Sequence, residues 1–339
     1  MTGPTHGSTV GLVANPASGH DLRRLISGAS IATNLEKVNV VRRLLSGLGA
    51  TGVERVLMMP DASGLTLGVE RAHEQHRVDR DGVWPEVEFV SIEVRQTIED
   101  THSATRAMLT AGVGAIVVLG GDGTARAVAS VIDDTPLLAL STGTNNAFGV
   151  MTDATVAGLA GGFVANGCCP VGDGCRRAKR LDVRFGDRTE RALVDVAVVD
   201  ADGVGARAVW HPSTLRELVV TIAEPGAIGL SAIAAAVSPS RPDDPTGRHL
   251  TLGTGGRAAI AAIAPGLVRS VSVAATRVIQ PDEPFRLDST TGVLALDGER
   301  DILLDRGDTP EITLTTNGPL VIDVPKVLGL AAERGWLRC

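Results

Sequence analysis

One acid set among glycines carries the strongest chemical signal in this 339-residue chain, Gly120-Gly121-Asp122-Gly123-Thr124. Glycines remove Cβ atoms where a polyphosphate must approach the backbone. A carboxylate beside such a loop can receive a proton from an attacking hydroxyl. The loop follows the apolar run Ala115–Leu119 and precedes a helical run over 125–132. Thr124 is expected to open and cap that helix, whose free amides attract anions. A strand, a phosphate-binding loop and an acid together suit phosphoryl transfer.

Three further segments could complete such a site. Gly11–Ala14 is an apolar strand ending in Asn15-Pro16-Ala17-Ser18-Gly19, where the Asn15 amide, the Ser18 hydroxyl and the Gly19 amide suit a nucleotide phosphate. Leu140 leads into Ser141-Thr142-Gly143-Thr144-Asn145-Asn146-Ala147-Phe148. Amides such as Asn145 and Asn146 bind adenine edges, ribose hydroxyls or phosphates, but do not act as bases at neutral pH. The last segment is Asp297-Gly298-Glu299 after an apolar strand. Alone, Asp-Gly is an ordinary hairpin signal.

The four segments, in this order, resemble the NAD kinase and diacylglycerol kinase superfamily, which includes the sphingosine kinases. The 140–148 segment is similar to the Gly-Thr-x-Asn-Asp-Phe segment of the lipid kinases, with Asn146 or Ala147 where those have an acid. Ile98-Glu99-Asp100-Thr101 and Ala111-Gly112-Val113 resemble the ATP-NAD-kinase-like proteins associated with acetoin catabolism. The resemblance implies transfer of phosphate from ATP, with Mg²⁺, to an alcohol in a homo-oligomer. It implies Asp122 as the catalytic residue that orients and deprotonates the acceptor hydroxyl, with Asn15, Ser18, Gly19, Gly120, Gly121, Gly123, Thr124, Thr142, Gly143, Thr144, Asn145, Asn146, Asp297 and Glu299 around the nucleotide and acceptor. Asp297 or Glu299 could instead hold the metal or supply the base. Polyphosphate presents the same phosphates as ATP, so the donor stays open between them. NAD, phosphorylated to NADP, is the first acceptor, and a lipid or small alcohol the second. A third reading is a non-catalytic nucleotide sensor.

The elements needed to position these residues are legible in the periodicity. Strands at 10–14, 53–59, 87–94, 115–119 and 137–140 alternate with helices at 34–48, 65–78, about 100–110 and 125–132. That alternation predicts a doubly wound α/β domain over 1–150. Its ligand would lie off the carboxyl ends of the strands, where the loops after Ala14, Leu119 and Leu140 would meet. A linker or helix is expected over 151–178. A β-rich, sandwich-like domain carrying the Asp-Gly-Glu turn should follow over 179–324, with strands at 181–185, 191–199, 218–222, 268–275, 292–296 and 311–315. A C-terminal helix at 325–339 is expected to pack back on the first domain.

Composition narrows the function further. A net charge of −7 argues against nucleic acid as the main partner. No apolar run approaches the roughly 18 residues of a membrane span, which predicts no stable membrane insertion. The polar start of the chain lacks a secretory signal, so a cytoplasmic location is expected. Cys168, Cys169, Cys175 and Cys339 have no zinc-ligand spacing and read as reduced thiols. His73 and His76 read as a solvated helix surface. Gly253-Thr254-Gly255-Gly256-Arg257 reads as a plain turn or a second-domain phosphate contact.

Overall fold

The computed structural model of the protein describes residues 8–16, 33–79, 82–141, 147–200, 212–289, 291–304 and 309–338, with the main chain alone at 79, 212 and 299–301. The first half alternates β1 (Thr9–Ala14), α1 (Asn34–Ala50), β2 (Arg55–Met58), α2 (Leu65–Asp79), β3 (Glu86–Phe89), α3 (Ile98–Thr110), β4 (Ala115–Gly120), α4 (Asp122–Ala129) and β5 (Leu137–Ser141). The five strands are parallel in the order β3-β2-β1-β4-β5. Strands β1 and β4 are buried at every residue, which accounts for their unbroken apolar sequence. Helix α1 begins with a capping box: the Thr33 hydroxyl accepts from the Glu36 amide, and Glu36 accepts from the Thr33 amide.

The stretch after β5 is built into this first layer rather than spacing it from the second. Helix α5 (Ala154–Ala165) lies in the same core as α1, and the two meet backbone to backbone. A Cβ on Gly158 would stand 2.5 Å from the Leu44 carbonyl oxygen and 3.0 Å from the Gly47 Cα. The short α6 (Val171–Gly174) and β6 (Cys175–Arg177) follow. At the far end of the chain, β17 (Leu320–Ile322) pairs parallel to β5 and antiparallel to β6, extending the first sheet to seven strands. The strand-rich range expected up to residue 324 therefore gives its last strand to the first sheet. Helix α8 (Val324–Arg334) adds Val324, Val327 and Ala331 to the first core.

The remaining strands are β7 (Arg180–Phe185), β8 (Arg188–Ala192), β9 (Asp195–Val199), β10 (Leu215–Val220), β11 (Gly247–Ala264), β12 (Leu267–Ile279), β13 (Phe285–Arg286), β14 (Gly292–Leu296), β15 (Glu299–Leu304) and β16 (Glu311–Thr315). They form a six-stranded antiparallel sheet, β12-β11-β10-β9-β14-β15, and a four-stranded one, β13-β16-β7-β8. Leu181, Val183, Ile312 and Leu314 from the smaller sheet share a core with Val196, Val198, Val219 and Leu294 from the larger. Helix α7 (Ser231–Val237) covers the opposite face of the larger sheet.

Several local expectations change. The single strand expected over 191–199 is two, because the amides of Leu193, Val194 and Asp195 turn to one carboxylate, that of Asp297. Gly253–Arg257 is not a turn: it lies within β11, where the register against β12 slips between Leu252 and Arg257. A Cβ on Gly256 would meet the Val273 carbonyl oxygen at 2.1 Å, so the slip needs glycine there. His73 is buried with Nε2 3.0 Å from the Pro85 carbonyl oxygen, and His76 stacks on Trp84 at 4.0 Å between ring centroids. That surface is packed, not solvated. Cys168, Cys169 and Cys175 are free thiols, and burial pushes the Cys175 thiol up to about 11.

Candidate active site

The strand order reverses between β1 and β4, and loops after neighbouring strands part there to leave a crevice at the carboxyl ends. Asn15 follows β1 on one side and the Asp122 loop follows β4 on the other. Two contacts tie these sides together. The Asn15 side-chain amide nitrogen donates to Thr124 Oγ1 at 3.0 Å, and the Asn15 main-chain amide donates to the Leu119 carbonyl at 3.1 Å.

Helix α4 starts three residues earlier than expected. Gly121 is its N-cap, without a side-chain cap, and Asp122 is its first residue. Thr124 is therefore in the first turn and does not cap it. Gly120 permits this tight entry, since a Cβ there would lie 2.7 Å from Thr124 Cβ and Oγ1. The early start brings the amides of the first turn to the crevice, where they favour an anion. Asp122 itself is 5% exposed, and its Oδ1 accepts from the amides of Phe148 at 3.3 Å and Gly149 at 3.4 Å.

Those two amides belong to the chain returning after β5. Its described part leaves at Ser141 and returns at Ala147, with the Ser141 amide donating to the Val150 carbonyl and the Val150 amide to that of Ala139. Asp122 thus joins the β4 loop to the chain after β5. Thr142, Gly143, Thr144, Asn145 and Asn146 lie outside the described residues, as do Ser18 and Gly19.

Asp297 also reaches this place, but in a different state. It sits at the turn between β14 and β15 with φ 53°, in the left-handed region. The Leu193 and Val194 amides donate to its Oδ1 at 3.0 and 2.8 Å, and the Asp195 amide at 3.3 Å. Arg126 Nε lies 3.4 Å from its Oδ2, with the Asp297 side chain closed to solvent. Burial pushes its carboxyl up to about 6, against the pull of Arg126 and the Val194 amide, and the charge of Asp122 adds to the rise. A carboxylate so enclosed does not fit the metal-ligand or acceptor-base roles open to it in the sequence. The side chain of Glu299 is outside the described residues. Among the described residues, no group of three or more His, Cys, Asp or Glu could hold a metal ion.

Two residues here had no motif to announce them. Arg126 lies one helical turn beyond Asp122 on the same face of α4, a spacing visible in the sequence once the helix start is known. Lys37, on the first turns of α1, is 1% exposed, and its ammonium donates to the carbonyls of Asn15 (3.2 Å) and Pro16. Its one available signal was its rarity, as one of only three lysines.

Residues 10–167 match the ATP-NAD kinase N-terminal domain family, and residues 179–317 the acetoin catabolism protein X C-terminal domain family. Acetoin catabolism protein X of Cupriavidus necator is 39% identical over 337 residues, covering 97% of this chain and 94% of that protein. Two solved structures assigned as a diacylglycerol kinase of Bacillus anthracis str. Sterne align over 93% and 95% of this chain and 98% and 99% of theirs, with TM-scores of 0.48 and 0.47 and identities of 13% and 14%. With two-fifths identity across nearly the whole of both chains, the protein belongs to the acetoin catabolism protein X family, its first half matching an ATP-NAD kinase N-terminal domain and its second the C-terminal domain of that family.

Proposed function

We propose that the protein is a kinase-type phosphotransferase that moves the γ-phosphoryl group of ATP, carried with Mg²⁺, to an alcohol, with the adenosine-ribose 2′-hydroxyl of NAD as the first acceptor. The observation that carries this reading is Asp122: an acid on the first turn of α4, at the reversal of strand order, tied to the chain after β5. In the reaction, Asp122 takes the proton of the acceptor hydroxyl. That oxygen bonds to the γ-phosphorus, and the bond from phosphorus to the β–γ bridging oxygen breaks to release ADP, or a shortened chain if polyphosphate is the donor. The glycine amides of residues 120–123 and the Thr124 hydroxyl hold the phosphates, and Asn15 fixes that hydroxyl for the task. A cytoplasmic homo-oligomer making NADP goes with this reading, and no helix among the described residues is long and apolar enough to cross a membrane.

A second acceptor class has its own support. Leu35, Leu67 and Ile98 are 71%, 48% and 52% exposed on the first turns of α1, α2 and α3. In a parallel doubly wound sheet those turns share the edge that carries the crevice. An apolar rim there favours an amphiphilic alcohol such as a lipid. The deciding experiment incubates the protein with ATP, Mg²⁺ and NAD, and in parallel with lipid and small alcohols, beside Asp122→Asn. NADP formation that disappears in the variant supports the first reading. Phosphorylated lipid or small alcohol without NADP selects the second. Nucleotide binding without transfer to any acceptor leaves the sensor.

A further inference from the structure

We propose that Arg126 and Asp297 form a positioning pair through which the strand-rich half holds α4, and with it Asp122, in the working orientation. The proposal rests on the phosphotransfer reading and extends it to two residues that need not touch substrate. Helix α4 is eight residues long and has no side-chain cap at Gly121. So short a helix is marginal by itself and takes its orientation from tertiary contacts. Among the described residues, three polar contacts reach it: Asn15 on Thr124, the Phe148 and Gly149 amides on Asp122, and Arg126 on Asp297. The first two come from the half that carries α4. Only the third comes from the opposite half.

Asp297 is built as the fixed end of that contact. Its left-handed turn is pinned twice: its own amide donates to the Asp195 carbonyl at 2.9 Å, and the Gly298 amide donates to Asp195 Oδ1 at 3.2 Å. Its carboxylate is pinned by the amides at the start of β9. Arg126 is 13% exposed at its side chain, so little water screens the pair. The apolar surroundings join the halves as well, since Leu193 and Val194 share a core with Val128 of α4 and with Phe148. The charged groups facing Asp297 are Arg126 and Asp122 from α4 and Asp195 from β9.

The test is a double-mutant cycle in the full chain, Arg126→Met, Asp297→Asn and both together, with ATP and the acceptor the protein turns over. Each single variant is expected to lower kcat by about 10- to 100-fold, with KM for ATP changed less than about threefold. The double variant should be no worse than the poorer single one, because the pair acts as a unit. The acidic limb of the kcat–pH profile should move in opposite directions: upward when Arg126 loses its charge, downward when Asp297 loses its own. Arg126→Lys should recover part of the rate, and thermal unfolding identifies any variant that fails to fold. Additive losses, or full kcat in both single variants, would overturn the pairing. Should the wild type transfer phosphate to nothing, the phosphotransfer reading fails by itself. The contact is then read by hydrogen exchange of the amides of residues 121–126, which should quicken in Asp297→Asn, and unchanged exchange would overturn the positioning role.

Discussion

Two of the buried carboxylates in the strand-rich half, Glu217 and Asp297, are pushed in opposite directions by their surroundings. Glu217 on β10 accepts from His249 Nε2 at 2.9 Å and from the amides of Ser289 at 2.6 Å and Asp288 at 3.3 Å. Arg277 Nε in turn donates to His249 Nδ1 at 2.7 Å, and its guanidinium lies 4.4 Å over the Phe285 ring. Burial pushes the Glu217 carboxyl up, but its hydrogen bonds from His249 and Ser289 outweigh burial and bring it to about 2. At Asp297 burial wins over Arg126 and the amides, and the carboxyl stands at about 6. Both side chains are almost wholly enclosed, so enclosure alone does not separate them. Their company does. Glu217 is satisfied within the strand-rich half, by His249 of its own sheet and by the Asp288 and Ser289 amides after β13, while Asp297 faces a cation on a helix of the other half and feels a second acid, Asp122. A buried ionic cluster closed on itself reads as structure, and one that reaches across to a phosphate-type loop reads as part of a site.

The largest effect expected is at the loop acid that makes this difference matter. Asp122→Asn should lower kcat about 10²- to 10⁴-fold with little change in KM for ATP, measured by steady-state kinetics. Next comes the acid–base contrast in stability. Glu217, lowered from 4.5 to about 2, contributes stability that is full above pH 4.5 and is lost as pH falls toward 2. Asp297, raised from 3.8 to about 6, does the reverse: its contribution is full below pH 3.8 and is lost as pH rises toward 6. Each is on the order of 3 kcal/mol. Urea unfolding of Glu217→Gln and Asp297→Asn across pH 3–7 should show the two slopes removed separately. A smaller effect separates them in turnover: Glu217→Gln should leave kcat within about twofold, whereas Asp297→Asn should not. The smallest is Lys37→Met, expected to cost about 1–3 kcal/mol by stripping the Asn15 and Pro16 carbonyls of a donor. Chemical denaturation measures it.

Much of the first half was readable because its strands are buried on both sides and its helices on one. Val10–Ala14 and Ala115–Leu119 are continuous apolar runs for that reason, and Leu44, Leu45 and Leu48 recur at helical spacing. The motif around Asp122 was readable because glycine is required wherever backbone meets side chain at Gly120. What sequence could not give was long-range pairing. Nothing near Leu320–Ile322 says that it will lie beside Leu137, more than 180 residues away in the chain. Likewise the break at Leu193–Val194 is decided by a carboxylate over 100 residues later. The role open to Asp297 narrowed for the same reason: its amide partners and Arg126 come from elements that periodicity does not connect. Lys37 carries no sequence signal beyond its rarity, because the carbonyls it serves, those of Asn15 and Pro16, come from the turn after β1.

The glycine crossing of α1 and α5 has a mechanical consequence. Where Gly47 faces Gly158, main chain rests on main chain, and no rotamer change can absorb a displacement. Arg43 and Asp153 clamp the same two segments with an ion pair at 3.1 Å. The two helices therefore move as one stiff slab. The helices run parallel, Arg43 meeting Asp153, Gly47 meeting Gly158 and Thr51 meeting Gly162, so their N-terminal ends lie together. That shared end carries both Lys37 under the turn after β1 and the chain that Asp122 grips after β5, and the two loops stand on one unyielding base.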